Sequence, residues 1–328
     1  MKVIVQIPCY NEEGTLERVI ADIPRQIPGV DGAGETARVE ILVVDDGSTD
    51  ATSEVARRAG ADHVVRHPRN QGLARAFRTG LDACLRLGAD IIVNTDADNQ
   101  YAGSAIPDLI RPILERRADI VVGDRGTGRL EHFSPTKKML QKLGSFFVRR
   151  FSGTTVPDAV SGFRALSRDA AQRINIISSF SYTIEMLIQA GKHRMAVVSV
   201  PVPVNPPARQ SRLFRSVPQF LLQSMATTVR TYTMYKPLRV FTYLGLFLVL
   251  VGALPVARFL YFYAQGQGNG HVQSLVLGSA FLIFGFVSLL IGIVADLIAS
   301  NRMLLEILLE KVRALEAERD SQRKSPKE

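Results

Sequence analysis

The apolar positions of this chain fall into two regimes. Up to about residue 125, short apolar runs alternate with stretches whose apolar residues recur at helical spacing. The runs Val3–Ile7, Glu40–Val44, His63–Arg66, Ile91–Asn94 and Asp119–Val122 predict strands. The segments Gly14–Ile23, Ala51–Ala59, Leu73–Leu87 and Ile106–Arg117 predict helices, the second of them capped by Ser48, Thr49 or Asp50. This alternation argues an α/β fold with a mostly parallel sheet and flanking helices. A late strand is expected at Val197–Val204, where Pro201 and Pro203 exclude a helix and favour a sheet edge.

The C-terminal third follows a different pattern. Val240–Ala257 and Ser274–Ala295 carry no charge, and each is long enough to cross a hydrocarbon layer of about 30 Å as a helix. Lys236 and Arg239 precede the first run, and Arg302, Lys311 and Arg313 follow the second. The Gly-rich link Gln265–His271 has neither Lys nor Arg and reads as flexible. Basic flanks stay on the cytoplasmic side, so the expectation is a multi-pass plasma-membrane hairpin with the N-terminal domain and both termini cytoplasmic. Arg258, at the outer end of the first run, can snorkel. The boundaries that follow are a domain over 1–212, an amphipathic region over 213–237, two spans within 238–298 (about 240–260 and 273–297), and a cytoplasmic helix and tail over 299–328. Leu213–Tyr235 suits either the membrane interface or packing on the domain. In the tail, Leu304, Leu305, Leu308, Val312 and Leu315 form a helical stripe that seeks a partner, a homo-oligomer among the candidates. Ser321–Glu328 is expected to be disordered.

Charge and cysteines add little. Lys and Arg total 40 against 31 Asp and Glu, a net charge of +9. Such a balance suits nucleic acid, anionic lipid or phosphate-bearing substrates without choosing among them. The basic residues are scattered and match no nucleic-acid motif, so no nucleic-acid partner is expected. Cys9 and Cys84 lack metal or redox spacing and read as unpaired thiols. Lys2–Pro8 opens directly into a strand with no signal-peptide pattern.

The chemistry lies in two acidic clusters, each placed where a strand is expected to end. Asp45-Asp46-Gly47-Ser48-Thr49-Asp50 follows Val39–Val44, and Asp96-Ala97-Asp98-Asn99-Gln100 follows Ile91-Ile92-Val93. Carboxylates grouped at the end of a buried strand suit Mg²⁺ or Mn²⁺, and those ions suit a diphosphate. If the backbone of the second cluster is extended, Asp96, Asp98 and Gln100 share one face. Asn70-Gln71-Gly72 opens a helix whose N-terminus favours an anion.

Together with Ile7-Pro8-Cys9-Tyr10-Asn11-Glu12-Glu13 and Asp158-Ala159-Val160-Ser161-Gly162-Phe163-Arg164, these blocks resemble the family 2 glycosyltransferases of GT-A fold. Within them they resemble the polyprenyl-phosphate glycosyltransferases, such as dolichyl-phosphate mannose synthases. The resemblance implies a nucleotide-diphosphate sugar as donor, a polyprenyl phosphate lipid as acceptor, and a divalent cation, Mg²⁺ or Mn²⁺. It implies that Pro8, Tyr10, Glu12 and Asp46 hold the nucleoside, with Gly72 and Ala97 also lining the nucleotide-sugar site. Asp96, Asp98 and Gln100 meet the metal and sugar diphosphate, with Asp98 central to catalysis, and Arg209 and Arg212 lie over the diphosphate. Arg125 and Lys137, or Lys138 in its place, attract the acceptor phosphate. Asp158 is the candidate base, or else orients Arg164 or the acceptor, and Glu185 is a second acidic candidate. The rivals are a glycolipid or polysaccharide acceptor, and a non-catalytic membrane protein that binds nucleotide-sugars. Processive synthases usually carry a Gln-x-x-Arg-Trp motif, and this chain has no Trp.

Overall fold

The computed structural model describes residues 1–28, 36–126, 156–176, 182–205, 226, 229–230, 232–266 and 268–324. They fall into two compact units, one of residues 1–228 with 309–328 and the other of residues 229–308.

The first unit is built on one sheet. In chain order the elements are β1 (Lys2–Cys9), α1 (Leu16–Asp22), β2 (Gln26–Ile27), β3 (Ala37–Asp45), α2 (Thr52–Arg58), β4 (His63–Arg66), α3 (Leu73–Arg86), β5 (Ile91–Asn94), α4 (Ile106–Leu114) and β6 (Ile120–Asp124). Then come β7 (Arg164–Ser167), α5 (Arg168–Arg173), α6 (Tyr182–Lys192) and β8 (Val197–Pro201). The strand order is β2-β3-β1-β5-β7-β6-β8, with β4 also on β3. The pairs β1–β3, β1–β5, β3–β4 and β6–β8 are parallel, while β2, and β7 on both its sides, pair antiparallel.

Every strand expected from the apolar runs is present, and β8 lies at the edge. The polar-start strand β7 escaped the pattern, because its first residue is an arginine that the fold buries completely. Val3, Val5 and Ile7 of β1 pack in one cluster with Leu16, Val19 and Ile20 of α1 and Ile106, Leu109 and Ile110 of α4. On the opposite face α3 lies over β1 and β3. Covering both faces explains why β1, β3 and β5 read as continuous apolar runs rather than alternating ones. Cys9 and Cys84 are buried and unpaired, as expected.

The second unit holds α7 (Pro237–Ala264) and the first part of α8 (Val272–Lys324), and α7 and the Val272–Leu309 stretch of α8 are both long and apolar enough to cross a membrane. Their apolar side chains stay largely uncovered, Leu254 for example at 74% exposed, which suits lipid and not water. The two helices meet through glycines seven residues apart, Gly245 and Gly252 on α7 with Gly278, Gly285 and Gly292 on α8. A Cβ on Gly252 would come within 2.8 Å of the Gly278 carbonyl oxygen, and one on Gly285 within 2.9 Å of that of Gly245. Such contacts let backbones approach where no hydrophobic effect drives association. Ser288 adds a hydrogen bond to the Phe241 carbonyl at 3.2 Å.

Within the link, Gly268–His271 forms a 3₁₀ turn, with the His271 ring stacked on Phe262 at 4.0 Å, and α8 is helical to Lys324. The region 213–237 lies largely outside the described residues.

Candidate active site

Three parallel strands end side by side. Cys9 of β1 is in register with Asp45 of β3, and Gln6 with Asn94, the last residue of β5. The loops that follow, Tyr10–Glu13, Asp46–Asp50 and Thr95–Gln100, are therefore neighbours at the C-terminal edge of the sheet, where open α/β sheets bind ligands. Because β5 ends opposite Gln6, Pro8 sits in β1 beyond the reach of that ladder and its missing N–H costs nothing there.

The first two loops lock together. The backbone N–H of Asn11 donates to the Ser48 hydroxyl at 2.9 Å, and that of Thr49 to Asn11 Oδ1 at 2.9 Å. Glu12 N–H donates to Thr52 Oγ1 at 2.9 Å, and Ala51 N–H to the Glu13 carboxylate at 3.0 Å. The first acidic cluster is thus largely committed. Asp45 is fully buried, accepting from Ser48 N–H at 2.8 Å and from the Ser53 hydroxyl. Asp46 accepts from the N–H groups of Gln71 at 2.9 Å and Gly72 at 2.8 Å, and meets His67 Nδ1 at 2.7 Å.

This corrects the reading of Asn70-Gln71-Gly72. Gly72, at φ 92°, does open α3, but its N–H and that of Gln71 are taken by Asp46 rather than left for a ligand anion. Of the three residues expected to cap α2, it is Asp50 that bonds into its first turn. Asp50 receives the Thr52 N–H at 3.0 Å, two residues on, while Ser48 is engaged by Asn11. His67, whose other nitrogen lies 3.0 Å from the Thr79 hydroxyl, carried no signal in the sequence.

The second cluster is arranged differently. Asp96, Asp98 and Gln100 are not on an extended strand: the chain turns at Ala97–Asp98, Asn99 adopts φ 60°, and Gln100 N–H folds back to Asp98 Oδ1 at 3.0 Å. The turn exists because β5 stops at Asn94, whose side chain is tied to Gln6 at 2.9 Å, to the Gly162 carbonyl at 2.8 Å and to the Tyr182 hydroxyl at 3.0 Å. Ala97 is buried and its carbonyl accepts from the Thr15 hydroxyl at 2.7 Å. Asp96 has no hydrogen-bond or ion-pair partner among the described residues, and it rests against Gly162. A Cβ there would fall 2.6 Å from Asp96 Oδ2, so the close approach requires glycine. Desolvation and then the neighbouring Asp98 push the Asp96 carboxyl up to about 7, against the opposing pull of Arg125 and Arg164.

The Ser161–Arg164 segment is what holds this arrangement. Arg164 is fully buried and donates to the carbonyls of Ser161, Thr183 and Ala159 at 2.8, 2.8 and 2.7 Å. It therefore staples the loop to α6 and is not oriented by Asp158, contrary to one sequence expectation. Desolvation brings its guanidinium down to about 10, with Tyr182 and Asp158 countering. Phe163 stacks on Tyr101 at 5.1 Å, and Tyr101 accepts the Gly162 N–H at 3.1 Å. Asp158 instead pairs with Arg125, which follows β6. Glu185 is buried on α6, where its Oε1 accepts from Gln189 at 3.3 Å.

The chain leaving β8 also reaches the second cluster. Asn205 donates from its backbone to the Gln100 carbonyl at 2.9 Å and from its side chain to that of Asn99 at 3.0 Å. Arg209 and Arg212, four and seven residues further, lie outside the described residues, as do Lys137 and Lys138.

Glycosyl transferase family 2 matches residues 4–174, just over half of the chain. The chain belongs to glycosyl transferase family 2. Among its relatives is the undecaprenyl-phosphate mannosyltransferase of Micrococcus luteus, 28% identical over 212 residues that cover 62% of this chain and 83% of that one. The dolichyl-phosphate hexose transferase of Haloferax volcanii is 30% identical over 208 residues, covering 62% and 83%. The glucosyl-3-phosphoglycerate synthase of Mycobacterium tuberculosis, solved with Mn²⁺, UDP and glucosyl-3-phosphoglycerate, shares the fold with a TM-score of 0.54 at 23% identity, over 71% of this chain and 78% of that one. The protein is thus a glycosyltransferase of GT-A-like α/β fold, with the mixed sheet described above.

Among the described residues no group of three or more His, Cys, Asp or Glu side chains converges as a self-sufficient metal cage. Two hard carboxylates, one of them unpartnered, fit a different kind of site. Mg²⁺ typically takes one or two carboxylates and completes its shell with water and substrate phosphate.

Proposed function

We propose that this family 2 enzyme transfers a single sugar, with inversion, from a nucleotide-diphosphate sugar to polyprenyl phosphate at the cytoplasmic leaflet. The observation that carries the donor half is Asp96, held without a partner beside Asp98 at the ends of parallel strands. The relatives' names and the apolar hairpin support the acceptor half.

Asp96 and Asp98, with Gln100 beside them, would hold Mg²⁺ or Mn²⁺. When bound, such an ion neutralises the charge that develops on the departing nucleoside diphosphate. Tyr10, 40% exposed at the end of β1, offers a ring edge to the base, next to Pro8 and Glu12. Asp46 acts in this reading by shaping the 70–72 turn beside that pocket. The binding of Asn205 to the Asp98 loop supports a position over the diphosphate for Arg209 and Arg212. Arg125 and Lys137 would attract the acceptor phosphate. A phosphate monoester is largely dianionic at neutral pH, so its oxygen can attack C1 with little need of a base. The basic flanks of the hairpin support a topology with both termini cytoplasmic.

The test is turnover by full-length enzyme in detergent or nanodiscs, with labelled nucleotide-sugars, Mn²⁺ and polyprenyl phosphate. A lipid-linked sugar whose formation stops with chelator is expected. Transfer only to a soluble phosphorylated acceptor, or no product with any common donor, overturns the proposal.

A further inference from the structure

Two arginines bind the Asp158–Arg164 segment, Arg164 from within it and fully buried, Arg125 from the end of β6 and partly buried, and they use their donors differently. Arg164 directs its N–H groups at backbone carbonyls and at Met186 sulfur, as a structural arginine does. Among the described residues, Arg125 commits its side-on edge to a carboxylate. Its Nε donates to Asp158 Oδ2 at 2.7 Å and its Nη2 to Asp158 Oδ1 at 3.0 Å, a side-on fork. Among the described residues the end-on edge meets only Gln100 Oε1, 3.4 Å from Nη1. That leaves a pair of donors at the loop that carries Asp96 and Asp98.

Asp158 has the opposite character. Its side chain is 0% exposed, against 15% for Arg125, and both its oxygens are occupied by the fork. A general base must present a lone pair within hydrogen-bond reach of the proton it takes. Here each oxygen turns a lone pair to a guanidinium and the whole carboxylate is out of solvent, in a segment anchored at Ser161, Gly162 and Arg164. A carboxylate beside Arg125 also cancels much of that residue's attraction for a phosphate dianion. What the pair provides is therefore direction more than charge.

We infer that Asp158 is a positioning residue: it grips Arg125 by its side-on edge so that the end-on fork faces the acceptor phosphate. The inference rests on the assignment of Arg125 to the acceptor phosphate made above.

A double-mutant cycle on the full-length enzyme tests it, using Asp158→Asn, Arg125→Lys and both together, with polyprenyl phosphate, a nucleotide-sugar donor and Mn²⁺. Each single change is expected to raise the acceptor KM roughly tenfold, and the double no more than the larger single, because both remove one unit. Donor KM and the acidic limb of the pH–rate profile should stay as in the wild type. If Asp158→Asn instead lowers kcat, abolishes that limb and multiplies with Arg125→Lys, Asp158 acts by itself and the inference fails. If Arg125→Lys raises acceptor KM while Asp158→Asn does not, the inference fails and the Arg125 assignment stands. If Arg125→Lys leaves acceptor KM unchanged, that assignment falls and the inference with it. Thermal shift with a nucleoside diphosphate and Mn²⁺ reports folding of each variant. Should Asp158→Asn not fold, Asp158→Glu replaces it: a recovered carboxylate fork predicts an acceptor KM closer to wild type than that of Arg125→Lys, and an unchanged acceptor KM with a collapsed kcat overturns the inference.

Discussion

The loops after β3 and β5 are both acidic and both close parallel strands, yet they use their carboxylates for different ends. After β3, Asp45, Asp46 and Asp50 accept hydrogen bonds from backbone N–H groups and hydroxyls of their own neighbourhood. After β5, Asp98 accepts one N–H and Asp96 accepts none among the described residues. A carboxylate surrounded by donors stabilises a fold. One kept without them raises the energy of the empty site and is stabilised only when something positive arrives. In one domain the same residue type thus builds the pocket wall at one loop and supplies the pocket's chemistry at the next.

The largest expected effect breaks the comparison on the chemical side. Asp98→Asn should lower kcat by about 10²–10³-fold, the scale of losing one well-placed electrostatic stabiliser. Its thermal midpoint without metal should match the wild type, while the stabilisation given by Mn²⁺ with nucleoside diphosphate should vanish. A variant as active as the wild type would remove Asp98 from the site.

Asp45→Ala tests the structural side. It leaves the buried Ser48 N–H and Ser53 hydroxyl without their acceptor, and a loss of about 2–4 kcal/mol is expected, read as a lower thermal midpoint. An unaltered midpoint with lost activity would mean that the first cluster is chemical after all. Next in size is Gly162→Ala, whose new Cβ would displace Asp96. A fall in rate of about 10–100-fold is expected with little change in nucleotide-free stability, since small misplacements of reacting groups are costly.

The smallest effect is a difference of sign with pH, measured on metal-free protein. Desolvation opposes the ionisation of Asp50, but hydrogen bonds from Thr52 and from the Glu13 N–H outweigh it and hold its carboxyl below the ordinary 3.8. Its contribution is therefore present above that value and lost as pH falls through the lower folded value. Asp96, raised to about 7, behaves oppositely: stability is full below 3.8 and lost as pH rises through about 7. At pH 8, Asp50→Asn should lower the thermal midpoint slightly and Asp96→Asn should raise it. The first difference should close only below about pH 3.8, and the second should already shrink below pH 7. Midpoints that shift in the same direction for both variants would erase the distinction between the clusters.

Much of this was legible in the chain. The apolar runs of β1, β3 and β5 are long because helices cover both faces of the sheet, and the acidic clusters mark the strand ends because parallel strands finish at one edge. The uncharged runs of α7 and α8 needed no tertiary information, since length and hydropathy alone decide what can cross a bilayer. What the sequence could not assign was the partner of each polar group. Asp46 and Asp96 look alike as letters, but one meets N–H groups at residues 71 and 72 and the other meets a glycine at residue 162. Asp158 and Arg164 are close in sequence, yet Arg164 is held by carbonyls and Asp158 by Arg125, 33 residues away. Periodicity and spacing report which surface a residue faces. Which carboxylate is satisfied and which is left for a ligand depends on hydrogen bonds closed across the fold, and those form only when distant segments pack.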